Sequence, residues 1–95
     1  MTHPSIPDLP AIESTILALA EACGGNASIA PGDVARALAG DAWRPLLGAV
    51  RRAAVGLAAS GRIDILRKGR PVPPSAARGV IRLRIRPAGD GVSGA

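Results

Sequence analysis

Aromatic side chains are nearly missing from this 95-residue chain, which has one Trp and no Tyr or Phe. A stacking platform for single-stranded nucleic acid needs several exposed rings, so that class is excluded. One Cys and one His are too few for a disulfide framework or a Cys/His zinc site. No apolar run approaches the roughly 18 uninterrupted residues that mark a membrane span. The best stretch, residues 12–23, is broken by Glu13 and Glu21. The opening Met1-Thr2-His3-Pro4 holds no Lys or Arg ahead of an apolar segment, as a secretory signal requires. The expectation is therefore a cytoplasmic protein with no cofactor and no membrane role. At 47% hydrophobic residues the chain carries enough apolar surface for one small domain.

Pro4, Pro7 and Pro10 mark residues 1–9 as a flexible lead-in, with Asp8 as the N-cap of a first helix. Ile12, Ile16, Leu19 and Cys23 recur on one helical face, and Gly24-Gly25 ends it. The expectation for Cys23 is a buried small hydrophobe. Asn26 to Ile29 reads as a brief extended piece. Pro31 opens a second helix with Asp33 near its positive end and Gly40 closing it. A third helix is expected from Asp41, as N-cap, to about Ser60, with Gly61 as its C-terminal stop and Trp43, Leu46, Leu47, Val50, Ala54 and Leu57 facing inward. Gly48 and Gly56 each weaken it by roughly 1 kcal/mol relative to Ala. Their presence reflects either a packing or approach requirement or a genome rich in Gly, Ala and Arg codons.

The period then falls from 3.6 to 2. Ile63 and Ile65 share one face of a strand, and Ile81, Leu83 and Ile85 share one face of another, opposite Arg82, Arg84 and Arg86. Such alternation belongs to half-buried antiparallel strands. Eleven residues, Gly69 to Gly79, with three prolines, form a stiff loop between them. The Gly-rich tail 88–95 is expected to be disordered. Helix, short extended piece, helix, helix, strand, loop, strand is the order of an α+β winged helix-turn-helix spanning residues 10–87, with a two-stranded antiparallel hairpin as its wing. A three-helix bundle with a dangling hairpin is the alternative.

The sequence resembles the small bacterial winged-helix proteins of Domain of Unknown Function 3253 over roughly residues 11 to 86. The resemblance lies in Pro31-Gly32-Asp33-Val34-Ala35-Arg36-Ala37-Leu38, Trp43-Arg44-Pro45-Leu46, Gly61-Arg62-Ile63, Lys68-Gly69-Arg70-Pro71-Val72 and Arg78-Gly79-Val80-Ile81-Arg82-Leu83. It implies a winged helix-turn-helix fold and carries over no activity, ligand or catalytic residue.

Charge is divided unevenly along the chain. Residues 1–43 hold one base, Arg36, and five acids, for −4; residues 44–95 hold eleven bases and two acids, Asp64 and Asp90, for +9. All but one of the bases are Arg, whose planar fork grips phosphate. The basic half contains the third helix and the wing, the two elements a winged helix offers to duplex DNA. Candidate DNA contacts are Arg44, Arg51 and Arg52 on the third helix, Lys68, Arg70 and Arg78 around the loop, and Arg82 and Arg84 on the last strand. The helix face offers Arg as its only obvious base reader. Against this, a strand arginine ladder also serves as a solvated face or a guard against edge pairing. The Pro-rich loop could equally pack over the hairpin.

Catalysis needs convergent groups, and none is apparent. His3 sits alone near the terminus, and Asp33, Asp41 and Asp64 read as helix-start, N-cap and strand-surface residues. An enzyme is not expected. Two readings remain: a DNA-binding regulator, or a protein-interaction module using the acidic half or an apolar patch around Val55 and Val72. No heptad extension or extra helix supplies a dimer interface, so a monomer is the default.

Overall fold

A computed structural model describes residues 8–86. The first helix, α1 (Leu9–Cys23), begins where the Asp8 carboxylate accepts the N–H of Ala11 at 3.1 Å. Helix α2 (Pro31–Ala39) starts on Pro31, and the Asp33 carboxylate reaches back to accept the N–H of Ala30 at 3.0 Å. Both acids satisfy donors that no intrahelical carbonyl can reach.

The third helix starts later than Asp41. Two 3-10 turns, Gly40–Ala42 and Arg44–Leu46, precede α3 (Leu47–Ala59). Pro45 has no N–H to enter an α-helical ladder, so the chain tightens into short turns until that ladder can begin. Helix α3 ends in a Schellman motif, with Gly61 at φ 82°. The N–H of Arg62 donates to the Leu57 carbonyl at 2.9 Å and that of Gly61 to Ala58 at 3.0 Å.

The wing has three strands rather than two: β1 (Ile63–Arg67), β2 (Arg70–Val72) and β3 (Arg82–Ile85), in the order β2-β1-β3, all antiparallel. Strand β2 lies inside the expected loop. Lys68 (φ 53°) and Gly69 (φ 80°) form a two-residue turn whose left-handed backbone matches the twist of a hairpin. Arg67 faces Arg70, so Leu66 and Pro71 are the next pair. In such a hairpin the nitrogen of Pro71 points to the open edge, where a missing N–H disturbs no ladder bond and denies pairing to another chain. The rest of the loop makes a 3-10 turn, Pro74–Ala76, that packs against α3. The expected extended piece is a single bridge: Ile29 and Leu83 exchange backbone hydrogen bonds of 2.8 and 2.7 Å.

Helix α3 packs on α1, α2 and β1. The core is aliphatic: Ile12 and Ile16 from α1, Val34 and Ala35 from α2, Val50 and Ala54 from α3, and Ile63, Ile65 and Leu83 from the sheet. Ala20, not Cys23, completes the inner stripe of α1, and Cys23 is exposed at the helix end. Val55 and Val72 are half-buried against the core rather than forming an exposed patch; the exposed large apolar residues among those described are Leu9 and Val80. The element order, the Ile29–Leu83 bridge and the sheet packed on three helices fit a winged helix. The lead-in (apart from Asp8 and Leu9), His3 and the tail lie outside the described residues. Among those described, no helix is long and apolar enough to cross a membrane.

Candidate nucleic-acid interface

Strand alternation sends Asp64, Arg82 and Arg84 to the sheet face away from the helices. Asp64 and Arg84 are direct cross-strand partners. The Arg84 guanidinium donates to Asp64 Oδ2 at 3.0 Å, and Arg86 donates to Oδ1 through both Nε, at 3.1 Å, and Nη2. Partial burial pushes the Asp64 carboxyl upward, but the hydrogen bonds and positive charges of Arg84 and Arg86 outweigh it and hold the pKa below its ordinary value. Arg82 turns the other way. Its Nε donates to the Ser28 hydroxyl at 2.7 Å and its Nη2 to the Ser28 carbonyl at 2.8 Å, fastening the segment ahead of α2 beside the Ile29–Leu83 bridge. The strand arginines are therefore engaged within the protein.

The two adjacent arginines of α3 differ in the same way. Arg51 is half-buried and its Nη2 donates to the carbonyl of Gly79 at 2.9 Å, with Ala77 at 3.5 Å. This clamp flanks Arg78, which is exposed and brought alongside α3. Arg52 is exposed and lies back along the helix, its Nη1 3.6 Å from where a Cβ on Gly48 would stand. Nothing else crowds that point, so internal packing does not require Gly48. The same holds at Gly56, where a Cβ would meet only Glu13 at 4.0 Å.

The hairpin tip concentrates positive charge. Arg67, Lys68 and Arg70 are all exposed around the two-residue turn, and Arg67 stands directly across from Arg70. Like charges in that position repel. Among the described residues the ion pairs are Arg84–Asp64 and Arg86–Asp64, so no carboxylate neutralises the tip. Lys68 and Arg82 line one shallow groove with Leu66, Val80 and Ser28. Arg67 is absent from the sequence-derived set because it reads as the end of a strand. Placing Arg70-Pro71-Val72 as a returning strand would have put it opposite Arg70.

Arg44 is exposed on the 3-10 turn before α3, and its guanidinium carbon sits 4.8 Å from the centroid of the Trp43 ring. Arg36, the single base of the acidic half, stands 4.4 Å from the same centroid. The half-buried Trp43 packs against the core, as expected of a helix-to-helix anchor. Sequence spacing missed the partnership with Arg36 because the chain leaves α2 and turns before it reaches Trp43. Among the described residues no group of three His, Cys, Asp or Glu side chains gathers where it could hold a metal ion.

A family described as Protein of unknown function (DUF3253) matches residues 10–86. The chain belongs to this family. Among curated proteins none matches it. All 12 bases fall inside the DUF3253 match, whereas Asp8 and Asp90 fall outside it. The basic tip, the exposed face of α3 and the Trp43 cluster all lie within the matched residues.

Proposed function

We propose that the protein is a small DNA-binding regulator that acts as a monomer and grips duplex phosphates with the exposed face of α3 and the wing. The observation that carries this reading is the hairpin tip. Arg67, Lys68 and Arg70 crowd one turn, two of them face to face, without a carboxylate among the described residues to neutralise them. Such an arrangement costs stability in the free protein and is relieved when an anion binds. Arg52 and Arg78 add exposed positive charge at α3, while Arg51, Arg82 and Arg84 hold the elements in place and lend long-range charge. Arginine and lysine on phosphates give affinity without much sequence selectivity.

A labelled duplex of about 20 base pairs, titrated from about 50 to about 300 mM salt, tests this. Wild type should bind with a steep salt dependence. The Lys68→Ala/Arg70→Ala double variant should bind more weakly, with a slope shallower by about 2, since each lost phosphate contact removes about 0.9. Its thermal stability should stay level or rise slightly as tip repulsion falls. Weak, salt-insensitive binding by both proteins overturns the reading. Attention would then move to a protein partner at the groove beside Val80, which is 89% exposed.

A further inference from the structure

The Trp43 cluster is not used by the α3–wing contact, and its construction is unusual for a surface feature. Two cations from different elements, Arg36 on α2 and Arg44 on the turn before α3, converge on one ring with centroid distances of 4.4 and 4.8 Å. Neither takes part in an ion pair or side-chain hydrogen bond among the described residues. Of the nearest acids in sequence, Asp33 caps α2 through Ala30, and Asp41 makes no ion pair among the described residues. The negative face of an indole attracts each guanidinium and offsets their mutual repulsion. Each guanidinium held over the ring carries five N–H donors in a planar fork, and none is spent on a side-chain or backbone acceptor among the described residues. The ring also restricts two long side chains that would otherwise lose rotamer freedom on binding. The arrangement suits an anion with several acceptor oxygens.

We propose that Arg36 and Arg44, carried on Trp43, form a phosphodiester clamp at the turn between α2 and α3. It rests on the duplex-binding reading and adds to it a third point of attachment, one that draws on the acidic half of the chain. The same chemistry would accept a free phosphate, so the two sources need separate arms.

Trp43 is the sole Trp in a chain without Tyr or Phe, so intrinsic emission reports on this site alone. Unlabelled duplex and inorganic phosphate are titrated separately while Trp43 emission is read, and labelled duplex gives anisotropy in parallel. The expected result is an emission change that saturates with duplex at the concentration where anisotropy saturates. Arg36→Ala should weaken duplex binding by about tenfold, with a salt slope shallower by about 1. Arg36→Lys, which keeps the charge and loses the planar fork, should fall between. Arg36 is exposed, so the fold should be unaffected in either variant. Duplex binding with unchanged Trp43 emission and an unchanged slope in Arg36→Ala overturns the clamp while leaving the α3–wing reading intact. Absence of duplex binding overturns both. Emission that responds to inorganic phosphate and not to duplex overturns the clamp as a duplex contact.

Discussion

Strand β1 carries both kinds of charged surface in this protein. Near its start, Asp64 faces β3 and collects the guanidinium groups of Arg84 and Arg86. At its end, Arg67 faces β2 and meets only Arg70, with Lys68 beside them in the turn. The sequence distributes bases to both places, but an acid to just one. A fold that needed merely a soluble, pairing-resistant edge could have placed an acid at either end, and Pro71 already blunts the β2 edge. The difference separates charge that holds the sheet together from charge left open to a partner. The same division recurs at adjacent positions on α3, where Arg51 binds the wing backbone and its neighbour Arg52 does not.

The sheet's role as scaffold is broken hardest at Leu83, which is fully buried, pairs with Ile65 and bridges to Ile29. Leu83→Ala removes buried methyls between both strands and the helices and should destabilise the domain by about 3 kcal/mol in urea unfolding. A loss under about 1 kcal/mol would mean the sheet is peripheral to folding.

A smaller and more pointed effect is expected at Asp64. Asp64→Asn leaves two arginines without their counter-charge and should cost about 1–2 kcal/mol near neutral pH, since both arginines keep access to water. The sign with pH follows from the lowered pKa. The stabilisation is fully present above the unfolded-state value, about 3.9, and is lost as pH falls through the folded-state value. Wild type and Asp64→Asn should therefore converge in acid, and a gap that does not narrow as pH falls would assign the effect to packing instead. Releasing Arg84 and Arg86 should also strengthen duplex binding at low salt, the reverse of what is expected when the tip bases are removed.

Much of the scaffold was legible because it rests on local rules. The Asp8 cap, Gly24 and Gly61 as helix stops, and the Ile/Arg alternation of β3 each follow from the residue itself or its immediate neighbours. What escaped was set at longer range or against local preference. Strand β2 is three residues long, contains Pro71, and is entered through Lys68 in a left-handed conformation that non-glycine residues seldom adopt, so no turn signal announced it. Cys23 reads as inside because it continues an i, i+4 pattern, yet the buried stripe closes on Ala20. The candidate site was legible as composition and not as arrangement. Spacing identified which residues are basic and outward, but the partners of Arg51, Arg82 and Arg84 come from segments 20 to 54 residues away.

The smallest effect sharpens the comparison within α3. Arg51 donates at 2.9 Å to the carbonyl of Gly79 from a half-buried position, whereas Arg52 has no hydrogen-bond partner among the described residues. Arg51→Met keeps the apolar stem and removes the donor, so the wing segment 77–79 loses its tie to the helix. The global cost should be about 1 kcal/mol, with faster amide exchange confined to the residues around Arg78. Arg52→Met should leave both stability and exchange within error. If the variants reduce duplex affinity equally, the two arginines contact phosphate alike and the structural division on this helix has no functional counterpart. If Arg51→Met acts only through a loosened Arg78, its effect should vanish in an Arg78→Ala background while that of Arg52→Met persists.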